Sequence, residues 1–450
     1  MSVVVIGAGP AGVRAVETLL VHGLRPVWID EAPRAGGQIY RRPPANFRRD
    51  AKTLYGFEAA KARRLHLAAD AAARLADYRA STLVWDIAEG SLQTAGPNGL
   101  EAIPFEAIIL APGATDRIIP VPGWTLPGVF TLGGAQIALK AQAVAIGRRC
   151  LFFGTGPLLY LVAYQYAKAG AQVAGVLDTA PASVKRLALP RLLARGSALA
   201  KGLYYVAWLK AHGIAISSGI EPLDILGASQ VSGLRYLNSA GRECAIAADA
   251  VAFGFGLRSE TQLADLAGCG FRFDALDRQW LPEIDEDGRA LGLGNVYLAG
   301  DGIGIAGADA AELAGERAGL ALLADRGLGA SIARRRWIAR RLARARRFRQ
   351  ALEQAFPFPK DLAHRIADGT ILCRCEAVTA GTLRASVTGS GAGELNRAKA
   401  HSRVGMGRCQ GRVCGAAAAE VLAAALSCDV AGVGRLRNQP RVKPLPVGLL

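Results

Sequence analysis

Four cysteines near the end of the chain stand in a pattern that can hold a metal centre. Cys373 and Cys375 fall in "LCRCE", and Cys409 and Cys414 in "GMGRCQGRVCG". Four soft thiolates select tetrahedral zinc or an iron–sulfur cluster. Zinc knuckles more often use a C-x2-C spacing, so C-x-C followed by C-x4-C favours the cluster. Backbone N–H groups of the glycine-rich surround, with Arg403, Arg408 and Arg412, would raise the reduction potential of an anionic cluster.

A second chemistry-bearing pattern opens the chain. In "SVVVIGAGPAGVRAVETLLVHGLRPVWIDE" an apolar strand runs into Gly7, Gly9, Pro10, Ala11 and Gly12, then an amphipathic helix, then a second strand ending at Asp30 and Glu31. Gly7 permits the tight turn, Gly9 lets backbone approach a pyrophosphate, and Gly12 lets helix and strand pack closely. The phosphates would sit on the helix N-terminus. An acid at the end of the second strand accepts from ribose hydroxyls. Glu31 is favoured, by alternation along the strand and by its place five residues before "GGQ" (Gly36, Gly37, Gln38); Asp30 is the alternative.

The plan recurs in "RCLFFGTGPLLYLVAYQYAKAGAQVAGVLD", with Gly154, Gly156 and a terminal Asp178. Leu159 stands where the third glycine belongs and crowds the helix–strand contact. NAD(P) binding at this second fold is therefore doubtful. No C-x2-C or C-x4-C pair accompanies either glycine motif, which speaks against thiol–disulfide chemistry. Cys150, Cys244, Cys269 and Cys428 read as packing thiols.

These motifs need elements to position them. The 450 residues exceed one compact core and suggest two or three domains; 54 glycines without a collagen period fit an α/β protein with many tight turns. The segment 333–356 is a basic helix with Ile338, Leu342, Phe348 and Leu352 on one stripe, stopped by Pro357 and Pro359. It reads as a solvated connector docked by that stripe. The net charge of +17 comes with no nucleic-acid recognition motif, so no nucleic-acid partner is expected. The first strand starts at residue 3 and no apolar run reaches the ~20 residues of a membrane helix. The expected location is cytoplasmic, with peripheral contact to the inner membrane face allowed by the basic helix, and with no integral membrane segment.

Two further segments carry a resemblance. "AIILAPGATDRIIPVPG", with Gly113, and "NVYLAGDGIGIAGADAAELAGERAG", with Gly300 and Asp301, resemble the flavoprotein disulfide-reductase superfamily. That resemblance implies FAD, with Asp301 at its ribityl and phosphate region. The cysteine module resembles the bacterioferritin-associated-ferredoxin-like [2Fe-2S] domain, which makes Cys373, Cys375, Cys409 and Cys414 its expected ligands. Together with "DEAPRAGGQIYRRP" and "KAHSRVGMGRCQGRVCG", nearly the whole chain resembles the α (A) subunits of hetero-oligomeric amine and imino-acid dehydrogenases. That family includes opine oxidase, D-hydroxyproline dehydrogenase, hydrogen cyanide synthase and heterotetrameric sarcosine oxidase.

The implied fold is α/β: two Rossmann-like dinucleotide-binding domains and a small helical [2Fe-2S] domain. The implied layout is an FAD domain over 1–125 and 246–328, a second Rossmann-like domain over 126–245, and a connecting helix over 329–366. The cluster domain then covers 367–430 and a tail 431–450. The resemblance implies a glycine-oxidase-like flavoprotein β subunit, in some members FMN at a subunit interface and a small ferredoxin-like γ subunit, and a quinone or respiratory-chain acceptor. None of the five histidines (His22, His66, His212, His364, His401) has a partner motif, so no catalytic base is assigned to this chain. The rival readings are a stand-alone NAD(P)H-dependent flavin and iron–sulfur reductase, and a zinc-bearing non-enzymatic partner.

Overall fold

A computed structural model describes residues 2–47, 49–193, 196–445 and 448. Its first sheet is parallel and five-stranded. In spatial order the strands are 296–298, 107–110, 3–6, 27–29 and 77–79. The central strand, Val3–Ile6, is buried throughout, as an apolar run flanked by strands and covered by helices must be. Helix Pro10–Val21 crosses over to strand Val27–Ile29 and packs tightly on helix Ala308–Asp325. Small residues allow that approach. A Cβ on Gly315 would collide with the backbone of Ala11, and one on Gly319 would come within 3.0 Å of Thr18.

The second sheet repeats the design, in the order 216–218, 172–178, 149–155, 250–255, 129–131, again parallel. Its strand Ala250–Phe255 lies past residue 245, so the second sheet runs further along the chain than the expected boundary. A short antiparallel ladder joins the two folds: Ala114–Asp116 pairs with Leu257–Ser259. Three-stranded antiparallel meanders at 83–104 and 221–247 flank the sheets.

Helix Ile332–Ala355 connects to the last domain, with Ile338, Ala351 and Ala355 buried. Most of its arginines face outward, as the stripe predicts. None of the described helices is long and apolar enough to cross a membrane. The last domain is a hairpin, Ile371–Cys373 with Val378–Thr379, followed by helices Ala380–Ser390, Leu395–Ser402 and Gly415–Ala425.

This domain is not a loose appendage. Its apolar residues merge with Phe153, Phe253 and Phe255 of the second fold in one buried cluster. Polar anchors surround that core. Trp124 Nε1 donates to the Ile371 carbonyl at 2.6 Å. Arg278 forms a two-pronged bond to the buried Glu420 at 2.8 and 2.9 Å, and Arg435 does the same to Asp265 at 2.7 Å. Such forked guanidinium–carboxylate pairs fix orientation as well as proximity.

Candidate redox sites

The amino-terminal glycine loop takes the shape its residues dictate. Gly7 has φ +105°, and a Cβ there would strike the Ala111 carbonyl. A Cβ on Gly12 would strike the Gly7 carbonyl, so helix and strand meet at van der Waals limits. Trp28 Nε1 pins the turn from below by donating to that carbonyl at 3.0 Å. Gly9 differs from both. Its φ is an ordinary −78°, and a Cβ would meet only Gly37 Cα, at 3.6 Å. Nothing in the protein forbids a side chain at Gly9; the space above it is a cradle of the kind a pyrophosphate fills. Pro10 and Ala11 open the helix, with proline at its first position where no N–H is needed.

The two candidate acids have different surroundings. Asp30 is half-buried and accepts from the backbone N–H groups of Ala8 and Ala32, so its carboxylate braces the glycine loop. Burial pushes its pKa up despite those bonds. Glu31 is exposed and faces Lys443 of the tail, with which it forms an ion pair. Of the two, Glu31 keeps a carboxylate free of backbone duty. Gly37 has φ +62° and backs directly onto Gly9, while Gln38 is exposed and accepts from Arg41 at 2.6 Å.

On the far side of the sheet, Gly113 has φ +77° and its carbonyl accepts from Glu260 N–H at 3.0 Å. Gly300 has φ +73°, and a Cβ there would lie 2.8 Å from Ala11 Cβ. Asp301 Oδ1 accepts from Ala306 and Gly307 N–H at 2.9 and 3.1 Å, bracing the turn that feeds helix Ala308–Asp325. Burial pushes the Asp301 pKa up. The glycine turns, the cradle at Gly9 and the acid at the second strand's end converge on one edge of the first sheet, an arrangement that fits a dinucleotide.

The second fold gives a different picture. Gly154 and Gly156 have positive φ, as tight turns require. Leu159 is fully buried. Asp178, also fully buried, accepts from Tyr160 Oη at 2.6 Å, Lys185 Nζ at 2.5 Å and Ala180 N–H at 2.8 Å. Phe356, from the end of the connecting helix, lies over both Tyr160 and Lys185. The carboxylate that would hold a ribose is thus enclosed in a protein network.

In the last domain the four distant cysteines meet as two pairs. Cys373 contacts Cys414, and Cys375 contacts Cys409. Cys373 and Cys414 are buried, Cys409 is half-buried and Cys375 exposed. Among the described residues no three or more ligand side chains are gathered at metal-holding separation; the thiols face one another pairwise, and charge on each pair is felt by the other. The Cys414 thiol, then backbone N–H groups of Gly405, Glu376 and Cys375, hold the Cys373 thiol down to about 6 against burial. Cys414 is correspondingly pushed up by Cys373 and by burial. Four thiols, two of them in the buried core, with backbone N–H donors on Cys373, are a donor set that fits a [2Fe-2S] group bound by thiolates.

The glycines of "GMGRCQGRVCG" now have reasons. A Cβ on Gly407 would collide with Cys375 Cβ, and Cβ atoms on Gly405 or Gly411 would press on Leu436 of the tail. The arginines behave less uniformly than the sequence suggests. Arg403 pairs with Glu376 at 2.8 Å, and Arg412 with Glu260 at 3.0 Å and with Gln262. Arg258, from the flavin-side ladder, instead donates to the carbonyls of Arg412 and Gly411 at 2.9 and 3.4 Å. No local signal marks Arg258, since it reaches the Cys409–Cys414 loop from about 150 residues away in sequence.

Residues 1–318 match the pyridine nucleotide-disulphide oxidoreductase family, and residues 371–424 the BFD-like [2Fe-2S] binding domain. The A-subunit of opine oxidase from Agrobacterium tumefaciens (strain Ach5) is 38% identical, over 98% of this chain and 89% of that one. The chain belongs to the opine oxidase A-subunit family. Hydrogen cyanide synthase subunit HcnB of Pseudomonas protegens is 33% identical over 91% of this chain and 89% of its own length. Among solved structures, L-proline dehydrogenase from P. horikoshii superposes with a TM-score of 0.73 at 19% identity, covering 100% of this chain and 79% of that one, which establishes a shared fold. This member of the opine oxidase A-subunit family is therefore an FAD-dependent oxidoreductase with a [2Fe-2S] domain behind its flavin fold.

Proposed function

We propose that this chain is the electron-transfer component of a hetero-oligomeric dehydrogenase that oxidises a secondary amine or an amino or imino acid, such as an opine or D-hydroxyproline. A bound flavin supplies acceptance of electrons in pairs, and a [2Fe-2S] group supplies single-electron steps. The observation that carries the reading is the docking of the cluster domain. Arg258, on the ladder that joins the two folds, is bonded to the Cys409–Cys414 loop, and Arg278 clamps Glu420 at the same seam. Both redox sites are thereby fixed on one chain, as a relay requires.

The chain's own residues bind and orient; they do not provide a base for the amine. His22 and His212 bond the carbonyls of Thr18 and Trp208 in their own helices. His66 bonds the Tyr40 carbonyl, and His364 faces Glu420 at 3.3 Å. Amine oxidation is assigned to a glycine-oxidase-like flavoprotein β subunit. FMN at the subunit interface and a small ferredoxin-like γ subunit are the further components. A quinone or the respiratory chain is the assigned acceptor, and a cytoplasmic complex peripheral to the inner membrane face the assigned location. The relatives named as subunits of opine oxidase and hydrogen cyanide synthase support this reading.

The test is co-expression with candidate partner subunits, then an opine, proline and hydroxyproline panel with an artificial acceptor. Turnover is expected only in the complex. Amine oxidation by this chain alone would overturn the division of labour.

The enclosed carboxylate of Asp178 yields a separate expectation. NADH or NADPH added anaerobically should leave the bound flavin oxidised, because the ribose acid is held by Lys185 and Tyr160 and Leu159 fills the third glycine's place. Bleaching at a rate near ordinary turnover, on the order of 10 s⁻¹, would show instead that this network opens to admit the nucleotide.

A further inference from the structure

The tail that follows the cluster domain crosses back to the flavin fold. Leu436 lies over Gly405 and Gly411 of the cysteine loop. Arg435 and the backbone N–H of Asn438 both donate to Asp265, at 2.7 Å. Further on, the Val442 carbonyl accepts from Arg412 at 2.9 Å, and its N–H donates to the Trp85 carbonyl at 3.2 Å. The Val442 side chain is fully buried, in the apolar cluster that holds Val4, Ile6 and Ile29. The residue before Lys443 is thus part of the first fold's own core.

Lys443 leaves that fixed point at the end of strand Val27–Ile29. Its ammonium pairs with Glu31, 412 positions away in sequence, and its charge also reaches Asp30. Two neighbouring carboxylates stand there, and one ammonium answers both. Arg412 and Arg41 are the other cations whose charge is felt by Glu31. Each has other partners: Arg412 has Glu260, Gln262 and the Val442 carbonyl, and Arg41 has Gln38. Lys443 is the cation in direct contact.

A dinucleotide in the Gly9 cradle brings phosphate charge to a strand end that already carries two carboxylates. Like charges at such separations repel. The acid that accepts from ribose hydroxyls therefore also opposes the phosphates. An ammonium on Glu31 cancels that repulsion, and a carboxylate has lone pairs enough to accept from lysine and ribose together. It also holds a long, exposed side chain in one rotamer, so less freedom is lost when ribose binds. We propose that Lys443 is a positioning residue for FAD, delivered by the tail to neutralise Glu31 and hold its carboxylate at the ribose. This rests on Glu31 being the ribose acid, and it makes flavin retention depend on the tail as well.

The test follows FAD release from diluted holoprotein as rising flavin fluorescence, with iron, sulfide and circular dichroism reporting an intact chain. Lys443→Gln should release FAD about threefold faster, as a partly exposed ion pair allows, and Lys443→Arg at the wild-type rate. Glu31→Ala should speed release at least about tenfold, through loss of a charged acceptor. Adding Lys443→Gln to Glu31→Ala should change the rate by less than about 1.5-fold, because the lysine acts through the carboxylate. Unchanged release in Lys443→Gln, beside faster release in Glu31→Ala, would overturn the role of Lys443 and leave the ribose acid standing. Unchanged release in Glu31→Ala would overturn both. Equal acceleration by Lys443→Gln with and without Glu31 would show a lysine acting independently of that carboxylate, and would overturn the positioning role.

Discussion

Cys409→Ser is expected to strip iron and acid-labile sulfide to trace levels while flavin stays stoichiometric. Thiolate ligation by four cysteines leaves an iron open to solvent when one is lost. The structure shows why Cys409 is the residue to change. It is half-buried and touches Cys375, whereas Cys414 is buried in the shared core and begins helix Gly415–Ala425. Serine at Cys414 would also disturb packing; serine at Cys409 removes a ligand and little else. Electron delivery to an outside acceptor should collapse, while amine-dependent reduction of the partner's flavin survives. Metal and sulfide analysis, with the visible spectrum, checks this. Zinc without labile sulfide in the wild type would reduce the domain to a structural knuckle.

Gly9→Val should abolish flavin retention without unfolding the chain. The expected weakening is at least about 100-fold, or ~2.7 kcal/mol. Gly9 has strand-like dihedrals that valine adopts readily, and its Cβ would meet only Gly37 Cα at contact distance. The branched side chain would occupy the cradle above the loop. Gly12→Ala is the contrast. Its Cβ would strike the Gly7 carbonyl, so that variant should lose stability as well as flavin. Circular dichroism and the flavin-to-protein ratio separate the two. Gly9→Val protein that keeps stoichiometric FAD would remove the nucleotide from this loop.

Much of this protein was legible in the sequence, because spacing encodes local geometry. A strand, three glycines at fixed intervals and a helix can make only a few shapes, so the loop at Gly7–Gly12 and its damaged copy at Gly154–Leu159 could be read directly. The cysteine spacing named a four-thiol site in the same way. What no spacing encodes is which distant side chain arrives as a partner. Asp30 and Glu31 are neighbours in sequence; only the fold gives one to the backbone of Ala8 and leaves the other facing Lys443. Asp178 looks like a ribose acid until Lys185 and Tyr160 close on it. The arginines beside the cysteines looked like the cluster's cations, yet Glu376 and Glu260 neutralise Arg403 and Arg412. Arg258, whose guanidinium does bond the loop's carbonyls, comes from far away in the sequence. Charge pairing depends on distances of a few ångströms between elements folded together from far apart, so only the tertiary structure decides it.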